Sequence, residues 1–306
     1  MILLQKIRNR YVWLRRKIKK HWDLVFYKYA WDKAYIRKRY RAEFGQKLNL
    51  KNPVTFNEKL QWLKLYDRNP LYTQLVDKYR LREYVTQKLG AEYLVPVLWV
   101  GDDPDAIDFN ALPNQFVLKC NHNSGKGMYI CHDKSALDCT AVRNGLREGL
   151  QENFYLTSRE WPYKDVPRKI ICEQYMTDGS CTEGLTDYKF FCFNGVAKIM
   201  YISTDYSKDP RTDFFDMEFN HLPIKIKDPP ADIMPQKPEQ FEIMKQFAEI
   251  LSEGIPHVRV DFYLIHGKVY VGEMTFFHAA GFARITPDEW NRKMGDWINL
   301  PKKRTH

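Results

Sequence analysis

The stretch HVRVDFYLIHGKVYVGEMTF, residues 257–276, sets one arginine and two carboxylates among alternating apolar residues. Val258, Val260 and Phe262 alternate with Arg259, Asp261 and Tyr263; after His266-Gly267-Lys268 come Val269, Val271 and Met274, with Glu273 among them. A period of two predicts a half-buried β-hairpin. With a loop of three residues, 266–268, position 265 pairs with 269, and counting back brings Asp261 opposite Glu273, with Arg259 and Thr275 on the same face. A two-residue loop would send the two acids to opposite faces. Like charges facing across a strand pair repel. A Mg²⁺ ion held by both carboxylates removes that repulsion and leaves positions for phosphate oxygens and water. The segment alone also fits two solvent-facing acids balanced by Arg259 and Lys268.

Phosphate ligands are the next requirement. FVLKCNHNSGKGM, residues 116–128, ends a strand on Lys119 and Cys120 and passes through Ser124-Gly125-Lys126-Gly127. Glycines let backbone N–H groups approach an anion closely, and a lysine adds a point charge. This is not a Walker loop, because Cys120 stands where its first glycine belongs and Gly127 where its hydroxyl residue belongs; nor is it GxGxxG. By itself such a loop is more often an ordinary hairpin turn. IICEQYM, residues 170–176, is a buried strand with a single carboxylate, Glu173.

The elements that must position these groups follow from local signals. Thr55 and Glu58 form a capping box ahead of Phe56, Leu60, Leu63 and Leu65. VDKYRLREYVTQKLG reads as one helix ended by Gly90, and EYLVPVLWV as a strand. After the glycine loop a helix is expected, with Ser135 as its cap. TDYKFFCFNGVAKIMYIST reads as a hairpin turning at Asn194-Gly195, and PEQFEIMKQFAEILSEG as an amphipathic helix leading into the 257–276 hairpin. Hairpins alternating with helices predict α+β (mixed α/β) architecture in two lobes.

The order of these segments is more specific than any one of them. A strand lysine with a glycine loop, a strand ending Glu-x-Tyr, a helix, Arg-x-Asp and then Glu resembles the ATP-grasp superfamily. NPVTFNEKLQWLKLYDRNPLYTQLVDKYRLREYV, LPNQFVLKCNHNSG, DYKFFCFNG, VRVDFY and GEMTFFHAAGF are similar to its TupA-like branch, which is linked to teichuronopeptide and other surface-polysaccharide biosynthesis. The resemblance covers roughly residues 45–300.

That resemblance implies an ATP-grasp fold with ATP sandwiched between two α+β lobes. The implied division is an arm, 1–44; a helical region, 45–115; a small lobe, 116–176; and a large lobe, 177–306, carrying the Mg²⁺-binding hairpin. Lys78 and Lys119 would contact the phosphates of ATP. Asn121, Ser124 and Gly125 would belong to the same cofactor site, with the 123–128 loop closing as a lid. Glu173 and the backbone of Gln174, Tyr175 and Met176 would hold adenine and ribose. Asp261 and Glu273 would hold Mg²⁺. Thr275, a neutral and weaker ligand, stands where many members carry asparagine. Arg259 would steady the transferring phosphoryl group. Lys189 would either contact phosphate or substrate or serve as a cross-strand structural lysine. The segment 277–282 could present backbone N–H groups to the acceptor, although Ala279 and Ala280 replace glycines common there. The implied reaction is carboxylate–amine ligation through an acylphosphate, joining an amino acid or similar amine to a uronic-acid carboxylate of an acidic glycan. Two other readings compete: a glycosyltransferase using a nucleotide-sugar, for which Asp103-Pro-Asp105 is the one Asp-x-Asp in view, and a non-catalytic ATP-binding scaffold.

Composition bounds these readings. With 306 residues, 44% of them hydrophobic and 15% aromatic, the chain is globular. The six cysteines form no CxxC pair and predict reduced thiols, favouring the cytoplasm. Its net charge of +10 is concentrated at the start, where residues 1–44 carry seven Lys and seven Arg against Asp23, Asp32 and Glu43. Leu4, Ile7, Tyr11, Leu14, Ile18, Trp22, Val25 and Tyr29 form one stripe of a basic amphipathic helix. Such an arm either lies on an anionic membrane face, making the protein peripheral to the inner surface, or packs its stripe on its own domain. No nucleic-acid motif accompanies the charge, and no nucleic-acid partner is expected.

Overall fold

The computed structural model describes residues 31–178, 184–204 and 209–303. The stripe expected over residues 4–29 therefore lies outside the described residues. Helix α1, Asp32–Phe44, belongs to the stretch expected with the arm, yet its Tyr35, Ile36 and Tyr40 are buried in the larger core. Helix α2, Phe56–Tyr66, starts from the expected capping box: the Thr55 side chain accepts from Glu58 N–H, and the Glu58 carboxylate accepts from Thr55 N–H.

The helix expected across residues 76–90 begins only at α4, Leu81–Lys88, and a break separates it from a preceding helix, α3, Leu71–Val76. The break lies at Asp77, whose carboxylate accepts from the N–H groups of Tyr79 at 2.9 Å and Arg80 at 3.2 Å. An aspartate side chain bonding its own following backbone competes with helical hydrogen bonds. The break turns Lys78 away from the helical path, and Lys78 N–H donates to the Asn121 carbonyl.

Strands β1, Val97–Gly101; β2, Phe116–Cys120; and β3, Tyr129–Cys131, precede α5, Cys139–Gln151, and α6, Phe154–Ser158. Asp138 caps α5, its carboxylate accepting from Ala141 N–H at 2.9 Å, whereas Ser135, the expected cap, sits in a preceding 3₁₀ turn. Strand β4, Ile170–Gln174, completes a four-stranded antiparallel sheet in the order β1-β4-β2-β3. Its core holds Phe116, Leu118, Ile170, Val142 and Leu146, with α5 across one face. Gly127 and Gly149 let the glycine loop lie on α5: a Cβ at Gly149 would come within 2.8 Å of the Gly127 Cα.

A six-stranded antiparallel sheet follows, ordered β10-β9-β5-β6-β7-β8. It comprises β5, Asp187–Phe193; β6, Val196–Thr204; β7, Arg211–Asp216; β8, His221–Leu222; β9, His257–Ile265; and β10, Lys268–Thr275. Helix α7, Phe241–Leu251, buries Phe241, Met244, Ala248 and Leu251, and α8, Asp288–Asp296, packs on α2. The β5–β6 turn falls at Asn194-Gly195 as expected, with φ of 51° and 82°.

The β9–β10 hairpin corrects the expected loop. Lys268 pairs with Ile265, so the loop is two residues, His266-Gly267, with φ of 49° and 75°. Positive φ at both central residues matches the twist of the flanking strands. The acids nevertheless end up paired, because the register shifts between Val271 and Glu273, bringing Glu273 opposite Asp261. Gly272 is the extra residue, and a bulge of one residue reverses the face of everything beyond it.

Candidate functional site

A cleft lies between the two sheets. The small sheet contributes Lys119 and Glu173, the large sheet contributes Tyr263, Val271 and Gly272, and the α3–α4 region contributes Lys78, Leu81 and Arg82. Leu94 forms an isolated parallel bridge to Val271 and joins the two halves at the cleft wall. Lys119 and Glu173 form a 2.6 Å ion pair across β2 and β4. Lys78 Nζ donates to the Asn123 carbonyl at 2.7 Å and stands 4.0 Å from Glu273 Oε2. Burial pulls the Lys78 pKa down, and the Glu273 charge opposes that pull. Three cations beside apolar Leu81, Leu94, Val95 and Val271 make a cleft suited to a nucleotide: an apolar slot for a base and positive charge for phosphates.

Arg82 was not singled out from the sequence. It lies four residues beyond Lys78 in DKYRLR, and its Nη1 donates to the Val95 carbonyl at 2.7 Å.

Behind the cleft, Arg259 is the centre of a buried network. Its Nε donates to Asp261 Oδ1 and its Nη2 to Asp261 Oδ2, both at 2.6 Å. Nη2 also donates to Glu273 Oε1 at 3.3 Å and to the Thr275 hydroxyl at 3.1 Å. Nη1 donates to the Tyr201 hydroxyl at 3.2 Å and to His278 Nδ1 at 2.7 Å. Lys189, directly across from Asp261 on β5, donates to it at 2.8 Å and pairs with Asp187 at 3.1 Å. Burial alone would push the Asp261 carboxyl up, but Arg259 and Lys189 together hold it below its ordinary range. Burial pushes Tyr201 up to about 12, keeping its hydroxyl proton.

The remaining residues singled out from the sequence are distributed more widely. The Asn121 side chain is buried and engaged on all sides, donating to Asp77 and the Pro167 carbonyl and accepting from Lys169 N–H. Ser124 and Gly125 are exposed at the loop tip, with Gly125 at φ 86°. Gln174 is exposed at the end of β4; Tyr175 and Met176 are half-buried, and Tyr175 packs edge-on against His132.

One face of α2 grips the turn that follows β10. Ala279 and Ala280 both have positive φ, 47° and 54°, as does Gly281. Asn57 Nδ2 donates to the carbonyls of Gly281 and Ala283 at 3.0 Å each, and Gln61 Nε2 to those of Ala280 and Gly281 at 3.1 and 2.8 Å. Lys64 Nζ reaches the carbonyls of Ala280 at 2.7 Å and Ser158 at 3.0 Å. Positions 57, 61 and 64 share a helix face, so the NEKLQWLK motif is the clamp for the HAAGF turn. Burial lowers the Lys64 pKa to about 7 against the opposing charge of Glu160.

Among the described residues no cluster of three or more His, Cys, Asp or Glu side chains could hold a metal ion. A pair of carboxylates remains. Asp261 accepts three hydrogen bonds, leaving one of its roughly four lone-pair sites. Glu273 is 40% exposed, and its Oε2 faces Lys78. Two carboxylate oxygens are what Mg²⁺ takes from a protein when phosphate oxygens and waters fill its other positions. The donors fit that ion.

A family model described as TupA-like ATPgrasp matches residues 58–299. The chain belongs to the TupA-like ATP-grasp family. The match includes both sheets, the cleft and, of the α2 clamp, Gln61 and Lys64; Asn57 and everything before it, α1 included, lie outside it. Its mixed α+β architecture with two antiparallel sheets is the ATP-grasp fold expected from the sequence. The search of curated proteins finds no match to this TupA-like protein. Among solved structures, D-alanine–D-alanine ligase from Bacillus anthracis complexed with ATP is similar at 13% identity and a TM-score of 0.39, over 66% of this chain and 54% of that one. D-alanine–D-alanine ligase from Helicobacter pylori is similar at 12% identity and a TM-score of 0.44, over 79% and 69%. The chain thus spans about half the length of the Bacillus anthracis enzyme.

Proposed function

We propose that this protein is an ATP-dependent carboxylate–amine ligase, acting through an acylphosphate and joining an amino acid or similar amine to a uronic-acid carboxylate in surface-polysaccharide biosynthesis. The carrying observation is convergence: Lys78, Lys119, Arg82, Glu273 and Arg259, from four separate segments, meet at and behind one cleft between the sheets. In this reading Lys78 and Lys119 bind phosphate oxygens of ATP, and Glu173 with residues 174–176 borders the base and ribose. Mg²⁺, held by Glu273 and the remaining Asp261 lone pair, would neutralise phosphate charge. Arg259, anchored by Asp261, faces the charge that develops as an acceptor carboxylate oxygen bonds to the γ-phosphorus and ADP leaves. Preorganised charge of this kind carries most of phosphoryl-transfer catalysis. The amine then displaces phosphate, loses a proton and forms the amide.

The HAAGF turn, fixed by Asn57, Gln61 and Lys64, borders the Arg259 network through His278 and forms the acceptor side of the site in this reading. The acidic acceptor and the polysaccharide pathway are proposed by likeness to the TupA-like branch; the cationic cleft supports an anionic ligand and leaves the sugar open. The glycosyltransferase reading has less support: Asp103 accepts from Asp105 N–H to cap a turn, and Asp105 is spent on Arg143 and Arg147 at the surface. The scaffold reading draws on Arg259, whose every N–H already has an acceptor.

The deciding experiment incubates the protein with Mg²⁺-ATP, an amino-acid pool and uronic-acid glycans, and follows products by mass spectrometry. ADP release with a product mass of glycan plus amine minus water supports the ligase. UDP release from a UDP-sugar supports the transferase, and nucleotide binding without turnover supports the scaffold. Among the described residues no helix is long and apolar enough to cross a membrane. Of the basic arm, residues 1–30 are proposed to hold the protein peripherally on an anionic membrane face, since α1 packs into the core, and deleting residues 1–30 should then abolish binding to anionic vesicles.

A further inference from the structure

Arg259 is anchored on two sides. Asp261 grips Nε and Nη2, and the opposite edge of the guanidinium, Nη1, is held by Tyr201 and by His278, a residue with no role assigned so far. Arginine has five N–H donors and no acceptor. His278 must therefore receive this 2.7 Å bond on an unprotonated Nδ1, which places its ring proton on Nε2. Burial and the adjacent Arg259 charge lower the His278 pKa well below its ordinary value, so the ring is neutral. The ring is also wedged in place, edge-on to Phe191 at 5.3 Å and to Tyr201 at 5.9 Å between centroids. It opens the 278–281 turn, which Gln61 and Lys64 hold by the Ala280 carbonyl.

The bond lengths around Arg259 divide its partners into two groups. Asp261 and His278 hold it at 2.6 to 2.7 Å, whereas Glu273, Thr275 and Tyr201 stand at 3.1 to 3.3 Å. With every N–H engaged, a phosphoryl oxygen gains a donor only where an existing bond yields. The weak Nη2 bonds to Glu273 and Thr275 lie on the cleft side, since Glu273 faces Lys78.

We propose that His278 is a positioning residue for phosphoryl transfer: its neutral Nδ1 fixes the guanidinium of Arg259 so that Nη2 is released toward the transferring group while the rest of the fork stays anchored. The inference rests on the ligase reading above, in which Arg259 addresses the phosphoryl group. It adds a residue from the acceptor-side turn, so the turn and the arginine are set by one contact.

Two substitutions separate the acceptor atom from the ring. His278→Asn keeps an acceptor oxygen at the same number of bonds from the backbone and discards the ring. His278→Phe keeps the ring packing and discards the acceptor. The readout needs no acceptor substrate: affinity for ADP with Mg²⁺, measured without and with aluminium fluoride as a planar phosphoryl mimic. Wild-type protein is expected to bind ADP more tightly with the fluoride. His278→Phe should lose about tenfold or more of that tightening, the scale of one hydrogen bond to a charged group, with affinity for Mg²⁺-ADP alone unchanged. His278→Asn should retain most of it.

Full tightening in His278→Phe, or a loss in His278→Asn as large as in His278→Phe, would overturn the proposal. No tightening in the wild-type protein would remove the phosphoryl role of Arg259 itself, and the role of His278 with it. A ¹⁵N spectrum of wild-type protein, which depends on neither variant folding, should show a neutral Nε2–H tautomer for His278. An Nδ1–H tautomer or an imidazolium would equally overturn the proposal.

Discussion

Glu273 lies directly opposite Asp261 across β9 and β10, and a single arginine, Arg259, donates to both. The repulsion between facing acids is met by cations supplied from the protein, with Lys189 adding a second charge at Asp261. The two acids are unequal all the same. Asp261 is 2% exposed and anchors two buried cations, while Glu273 is 40% exposed and opens on the cleft.

Their isosteric substitutions should therefore behave differently. Asp261→Asn takes from Arg259 and Lys189 their closest shared counterion, leaving them only Glu273 at 3.3 Å and Asp187 at 3.1 Å, and should cost about 3–5 kcal/mol of stability, the cost of breaking a buried ion pair. Glu273→Gln, partly exposed, should cost within about 0.5 kcal/mol, as other surface changes do. Both should abolish ADP release. Chemical denaturation and a coupled ADP assay on the two variants check this, and equal stability losses would contradict the ranking.

Gly272→Ala tests the bulge. A Cβ there would lie 3.1 Å from Tyr263 Cε2 and 3.3 Å from the Asp261 carbonyl. The Tyr263 ring and the Asp261 carbonyl must give by a few tenths of an ångström to accept it, at about 1–3 kcal/mol for an overpacked site. Because Gly272 also lines the cleft, ATP affinity should fall with stability, as isothermal titration and thermal unfolding would show.

Lys119→Ala separates binding from folding. The Lys119–Glu173 pair is partly exposed, so its loss should change stability by about 1 kcal/mol or less. ATP affinity should drop about tenfold or more, the scale of one charge-assisted hydrogen bond to phosphate. Unchanged affinity would remove Lys119 from the phosphate site.

Lys64 gives a pH signature. Its pKa falls from 10.5 to about 7 on folding, with burial as the main cause. Between these values the unfolded chain holds a proton that the folded protein has shed, so its contribution makes stability rise as pH increases from about 7 toward 10. Lys64→Met should flatten that rise in denaturation curves taken across the window. The same variant removes the Lys64 bonds to the carbonyls of Ser158 and Ala280, leaving Ala280 only its bond from Gln61, so amide exchange over 278–283 should quicken.

Much of the cleft was legible locally. The capping box at Thr55, the turn at Asn194-Gly195, the strand ending on Lys119 and the alternation around Arg259 and Asp261 are each written within a few residues. Turn chemistry, capping and period-two burial act over that range. The break at Asp77 and the bulge at Gly272 were also within reach, as an aspartate ahead of a helix start and a glycine inside a strand.

The sequence by itself determined the fold class, the hairpins and the set of charged residues available for chemistry. Only the tertiary structure decided which of them meet: Lys78 with Glu273, Lys189 with Asp261, His278 with Arg259 as the chain folds back, and Asn57, Gln61 and Lys64 with a turn more than 200 residues away. A period of two or 3.6 fixes the face on which a side chain emerges. Its partner is chosen by packing, where a buried donor left without an acceptor costs more than the bond itself is worth.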